Sequence, residues 1–163
     1  MSAETHTNVI EGRTLTMQRT FDAPLPVVWK AWTDAEILKQ WWGPRSFPTT
    51  YCTVDFRVGG VWHYCMTGPN GEESWGKGTY QAIEPHRRFV YLDQFSDKDG
   101  NAAPDMPDTI ITMEFTERDG KTTVTSRAEW ASEEELKKLA EMGMIEGATE
   151  TWDRLEEYLA TLS

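Results

Sequence analysis

Asp93 is a carboxylate set among aromatic residues at strand spacing: Phe89, Tyr91, Asp93 and Phe95 alternate with Val90, Leu92 and Gln94. If the aromatics line an interior, Asp93 enters it with them. A carboxylate in such surroundings has a raised pKa and can bind or protonate a ligand, whereas at an open strand end it is simply solvated. The phenols of Tyr64 and Tyr80 are the groups that an acid at position 93 could pair with. Other chemistry is poorly supplied. His6, His63 and His86 have no metal-ligand spacing with another His, Cys or Glu, so no metal site is expected. His63, between Trp62 and Tyr64, reads as a surface or edge histidine. Ser74, Ser126 and Ser132 sit in no nucleophile elbow. Gly76-Lys77-Gly78 falls inside a strand and is a weak phosphate-loop signal, so no cofactor is expected.

The elements that must position these residues follow from periodicity. Leu15, Met17, Arg19 and Phe21 alternate with polar residues and predict a half-buried strand. Asp22-Ala23-Pro24-Leu25-Pro26 opens a helix with Asp22 in reach as a cap and Val28, Trp29 and Trp32 as its stripe. Thr33-Asp34-Ala35-Glu36 fits a capping box with Thr33 as cap, starting a second short helix that buries Ile37, Leu38, Trp41 and Trp42. Gly43-Pro44 stops it. Strands are expected over 51–58, 61–67, 75–83, 88–95, 109–116 and 121–130, the last two joined by Asp119-Gly120, a hairpin signature. Gly76 and Gly78 suggest a bulge or bend, and 96–108 a long surface loop. Ser132 begins a helix, weakened at Gly143 and Gly147, with Met144, Ala148, Trp152, Leu155 and Leu159 on one face. Residues 1–13 read as a flexible tail before a single domain over 14–163.

This order predicts an α+β helix-grip: a curved, mostly antiparallel sheet of about seven strands around a long C-terminal helix, with two short helices after the first strand. Net charge is −11, so phosphate backbones and anionic membranes are repelled; nucleic acid and stable membrane insertion are not expected. No apolar run approaches the roughly 18 residues of a span and no signal peptide is visible, so a cytoplasmic location is expected. The two cysteines, Cys52 and Cys65, read as reduced, buried thiols. Aromatics make up 12%, with eight Trp, which suits either a core or a pocket wall.

The register around Gly59-Gly60 decides which hairpin residues face inward. A three-residue loop sets Phe56 against Trp62 and Val54 against Tyr64. A two-residue loop sets Arg57 against Trp62 and Asp55 against Tyr64, and a one-residue slip exchanges the faces. The first gathers Cys52, Val54, Phe56, Trp62, Tyr64 and Met66 on one side and leaves Asp55 and Arg57 as an outward ion pair. On the last hairpin Met113 and Phe115 share the inner face, and Glu114, Arg127 and Glu129 form outer charge pairs.

Phe21-Asp22-Ala23-Pro24, Val28-Trp29, Trp32-Thr33-Asp34, Trp41-Trp42-Gly43-Pro44, Asp55-Phe56-Arg57-Val58-Gly59-Gly60, Gly78 with Ile83-Glu84-Pro85, Arg88-Phe89-Val90-Tyr91 and the helix from Gly143 to Leu162 resemble, in order and spacing, the SRPBCC (START-like, birch-pollen-allergen-like) superfamily. Within it the chain is similar to the branch named after the activator of the heat-shock protein 90 ATPase. The resemblance covers nearly everything from Thr14 onward. It implies an internal, mostly apolar cavity between helix and sheet; superfamily members bind lipids, sterols, hormones or polyketides, and a minority are enzymes. Under this reading Trp41, Phe56, Trp62, Tyr64, Tyr80, Tyr91, Met113, Phe115, Met144 and Trp152 are the candidate walls. Asp93 and the tyrosine hydroxyls are the polar anchors for a small apolar or amphipathic molecule. A polyketide-cyclase-like enzyme and a chaperone-regulator module are the alternatives. The chaperone partner ranks lower because the eukaryotic co-chaperone carries a further N-terminal domain absent from this sequence. Nothing in the sequence decides between a monomer and a homodimer.

Overall fold

In the computed structural model, residues 6–162 are described. The expected alternation over Leu15, Met17, Arg19 and Phe21 is a strand with all four side chains buried. It is the second strand, not the first. Thr7–Glu11 (β1) pairs antiparallel with Thr14–Phe21 (β2), Val9 opposite Thr16 and Ile10 opposite Leu15. The tail read over 1–13 therefore contains a strand; its first five residues lie outside the described ones. Every residue of β1 is exposed, so no alternation betrays it, and backbone pairing with β2 holds it in place.

Leu25–Thr33 (α1) and Ala35–Trp41 (α2) follow. Neither is capped as the sequence suggests. The Leu25 N–H donates to the Glu117 carboxylate from a later strand, 3.1 Å, so Asp22 is not the cap. Asp34 caps α2, accepting from the Glu36 and Ile37 N–H groups, while the Thr33 hydroxyl turns back to the Trp29 carbonyl. Asp34 has extended φ and ψ, the geometry of an N-cap, whereas Thr33 still belongs to α1.

Six strands come next: Thr49–Val54 (β3), Val61–Thr67 (β4), Glu73–Glu84 (β5), Arg88–Phe95 (β6), Thr109–Arg118 (β7) and Lys121–Glu129 (β8). All pairings are antiparallel in the order β1-β2-β8-β7-β6-β5-β4-β3, an eight-stranded sheet. The β7–β8 hairpin closes at Asp119-Gly120, both at positive φ, as a two-residue turn whose twist matches the strands.

The β3–β4 register matches neither expected loop. Val54 faces Trp62 and Cys52 faces Tyr64, so β3 ends at Val54 and residues 55–60 form the connection. This register differs by two residues from the three-residue-loop reading. An even shift keeps every side chain on its face, so Cys52, Val54, Trp62, Tyr64 and Met66 still share one side. Asp55 and Arg57 form an exposed ion pair, 2.9 Å.

Gly76 and Gly78 mark no bulge; the register of β5 against β6 shifts between Tyr80 and Ala82. The glycines make room instead. A Cβ at Gly76 would lie 2.5 Å from the Tyr64 hydroxyl, and one at Gly78 would lie 2.8 Å from the Tyr91 ring. Both rings thus lie directly against the β5 backbone.

The expected single long helix is two. Ser132 caps Glu133–Glu141 (α3), accepting from the Glu135 N–H; Gly143, at φ +93°, then turns the chain into Met144–Ala160 (α4). α4 buries Thr151, Trp152, Leu155 and Leu159. Arg19, 2% exposed on β2, reaches it through Asp153, 2.8 Å, and Glu156, 3.4 Å. On its other flank Arg154 donates to the carbonyls of Gln40, Trp42 and Gly43 at the end of α2.

Candidate functional site

The inner face of the sheet and the helices that cover it carry a closed circuit of aromatic contacts. Phe56 touches Tyr80, 4.9 Å between ring centroids. Tyr80 touches Tyr91, Tyr91 touches Trp62, and Trp62 touches Trp42. Trp42 meets Trp32, which reaches Phe115; Phe115 stacks on Phe89, and Phe89 returns to Phe56. Trp41 and Trp152 attach through Trp32, and Tyr64 through Trp62. β4, β5, β6 and β7 supply one half of this circuit. α1, the end of α2 and the 55–60 connection supply the other.

Of the residues read from the sequence, Trp41, Phe56, Trp62, Tyr64, Tyr80, Tyr91, Phe115 and Trp152 thus belong to one network. Met113 is buried opposite Phe89. Met144, at the first turn of α4, is only partly buried against the core. Trp29, Trp32, Trp42 and Phe89 join the network without having been singled out as walls by the sequence. The three tryptophans carry helix-stripe spacing, which cannot tell a residue packed in a core from one facing a site. An open cleft lies elsewhere, between the β1–β2 turn and α3, lined in part by Ile10, Gly12, Leu136 and Lys137.

The polar atoms in this apolar interior divide sharply. The Trp41 indole N–H donates to the Ala31 carbonyl, 3.1 Å. The indole nitrogens of Trp32, Trp42 and Trp62 and the Tyr80 hydroxyl are buried without a hydrogen-bond partner. The Cys52 sulfur, a weak acceptor, lies beside the Trp62 indole; burial pushes that thiol up to about 11, and the Trp62 N–H opposes this. An unmade hydrogen bond in a dry interior costs about 1–3 kcal/mol, so unpartnered donors collected in one network demand an explanation.

Asp93 lies on the same face of β6 as Phe89 and Tyr91, paired with Gly78 on one side and Thr109 on the other. The Tyr64 hydroxyl donates to its carboxylate, 3.2 Å. Burial pushes Asp93 up to about 7, the Tyr64 hydrogen bond opposes this, and Asp108 adds to it. Burial and the neighbouring Asp93 hold the hydroxyls of Tyr64 and Tyr91 well above the usual phenol range. Burial also raises Tyr80. Asp93 itself is half-buried and Phe95, two residues on, is exposed, so the carboxylate stands at the rim of the interior.

The other reactive side chains lie apart. His63 projects to the opposite face of the sheet with Tyr51 and Trp75, and its Nε2 meets the Asp97 carbonyl. Cys52 and Cys65 are free and buried. Among the described residues, no group of three or more His, Cys, Asp or Glu is placed to hold a metal ion. No helix among them is long and apolar enough to cross a membrane.

A long antiparallel sheet covered by a C-terminal helix, with aromatic side chains between them, defines a helix-grip protein of the SRPBCC type. Residues 22–160 match the family described as Activator of Hsp90 ATPase homolog 1-like protein, and the chain belongs to that family. Solved structures agree. Protein Ms6760 from Mycobacterium smegmatis is 36% identical, with 94% of each chain covered and a TM-score of 0.84. A protein from Arthrobacter aurescens is 31% identical over 95% of this chain and 91% of that one, TM-score 0.88. One from Staphylococcus epidermidis is 31% identical over 96% and 95%, TM-score 0.82. A comparison with curated proteins yields no match.

Proposed function

We propose that this protein binds a small amphipathic molecule in the aromatic interior between sheet and C-terminal helix. The observation that carries the reading is the set of unpartnered buried donors, Trp32, Trp42, Trp62 and Tyr80, all within one circuit of ring contacts. A core selected only for stability pairs or excludes such groups; a binding site keeps them for a ligand's acceptors. Native mass spectrometry of the protein purified from its own host tests the reading. A stoichiometric non-covalent adduct is expected. A bare protein whose tryptophan emission also fails to respond to a panel of amphipathic probes overturns it.

One contact favours a second reading. The Tyr64–Asp93 hydrogen bond is the pairing an acid–base catalyst of cyclase or hydratase type requires. It ranks below binding because Tyr64 is held well above the phenol range and stays protonated. The pair then offers one titrating group near neutrality, Asp93, and no second to complete a proton relay. Turnover of a bound aromatic substrate that Asp93→Asn abolishes without loss of binding would reverse the ranking.

A further inference from the structure

We propose that the ligand is an organic cation, its ammonium-type head held against Asp93 at the rim and its apolar body inserted among the rings of Trp62, Tyr64 and Tyr91. This rests on the binding reading above and adds to it the chemical class of the ligand.

The first argument is the state of Asp93. It is half-buried, its hydrogen-bond donor is a neutral phenol, and the charge that acts on it is another carboxylate, Asp108, which raises it further. Among the described residues no salt bridge reaches it, although several other carboxylates of the chain have a cation beside them. Arg19 holds Asp153 and Glu156, Arg45 holds Glu157, Arg88 holds Glu84 and Arg127 holds Glu114. Lys77, on the neighbouring strand, stands opposite Gln94 and so on the other face of the sheet. A carboxylate withdrawn from water without a cation is costly. A positively charged ligand supplies what the chain leaves out.

The second argument is independent of the carboxylate. The wall next to it is aromatic: Trp62 lies 5.0 Å from Tyr64 and 5.7 Å from Tyr91, and Trp42 lies 5.8 Å from Tyr64. Ring faces attract cations, and a few converging aromatics are how alkylated ammonium groups are recognised. Trp62 is 1% exposed and its indole nitrogen has no hydrogen-bond partner. The Tyr80 hydroxyl, on a residue also 1% exposed and likewise unpartnered, lies one ring contact deeper, beyond Tyr91. These donors suit an oxygen acceptor carried on the apolar body. Charge excludes the opposite class. An anionic head would meet Asp93 and Asp108 inside a molecule of net charge −11.

Octylamine, octan-1-ol and octanoate share one tail and differ in head group. Their binding to the wild-type protein and to Asp93→Asn is measured by isothermal titration calorimetry at about pH 8, where both the amine and Asp93 are charged. Octylamine is expected to bind at least tenfold more tightly than the other two. Asp93→Asn is expected to remove that advantage, so that octylamine binds the variant no more tightly than octanol does. The proposal is overturned if octanol or octanoate matches octylamine, or if the variant keeps the amine preference, which would place the effect on the acidic surface. If none of the three binds either protein, the binding reading fails together with the inference.

Discussion

Replacing Asp93 with Asn should stabilise the protein, and only above a defined pH. Asn keeps an oxygen that can accept from the Tyr64 hydroxyl and removes the charge. The native carboxyl titrates at about 7 against 3.8 for a free side chain. Every tenfold change in proton affinity is worth about 1.36 kcal/mol, so holding the ionised carboxylate in this place costs about 4 kcal/mol before screening. Residual solvent contact at the rim screens roughly half of this and leaves about 2 kcal/mol. The sign follows from proton binding. Between about pH 4 and pH 7 the native state holds the proton and the unfolded chain does not, so wild-type stability falls as pH rises through that window. Below about pH 4 both states are protonated and the penalty is absent; above about pH 7 it is complete. Urea unfolding followed by tryptophan emission, at constant ionic strength from about pH 4 to 8.5, should therefore give equal stabilities for the two proteins at the acid end. Near pH 8 the variant should lead by about 2 kcal/mol. A difference independent of pH, or a wild type more stable than the variant at pH 8, would refute the placement of an unpaired carboxylate at the rim.

Tyr80→Phe should be neutral or stabilising by about 1 kcal/mol in urea melts, because it removes a buried hydroxyl that has no partner; a loss above about 1 kcal/mol would mean the hydroxyl is satisfied. Gly76→Ala should cost about 1–3 kcal/mol, since its methyl meets the Tyr64 ring end at 2.5 Å, whereas Gly147→Ala in α4 has open space and should add up to about 1 kcal/mol. A thermal melt of each resolves the opposite signs. Arg19→Ala should destabilise by about 2–4 kcal/mol through lost packing and the two lost links to α4, and Arg19→Met, which refills the volume, should recover more than half of that.

Periodicity and turn chemistry make the architecture legible because the buried strands alternate cleanly and Asp119-Gly120 can do little else. What stays hidden has no such signal. β1 is exposed throughout and announces itself by backbone pairing alone. The capping of α1 by Glu117 joins residues 92 positions apart, which no local window contains. The β3–β4 register lies two residues from the one the double glycine suggests, yet the inward set survives because strand faces repeat every two. At the site, Asp93 and the aromatics can be named from alternation. That Tyr64 rather than Tyr80 reaches Asp93 cannot, because it depends on Gly76 letting the Tyr64 ring lie against the sheet. Trp32 and Trp42 are silent for a related reason: an unpartnered indole nitrogen is a property of its neighbours and leaves no trace in a helical stripe.

The strand order has a consequence for how the chain is made. Strands β3 to β8 pair with their sequence neighbours and can zip as the polypeptide emerges from the ribosome. The β1–β2 hairpin must wait for β8; Thr20 and Thr123, which share a hydrogen bond, are 103 positions apart. During that interval β2 presents an unpaired edge and a row of large apolar side chains to solvent. Such long-range pairing places folding in the millisecond-to-second range and leaves a nascent chain open to aggregation. Slower translation or lower growth temperature should therefore raise soluble yield, and a circular permutant that begins at β3 and joins the β1–β2 hairpin directly after α4 would face a different order of assembly.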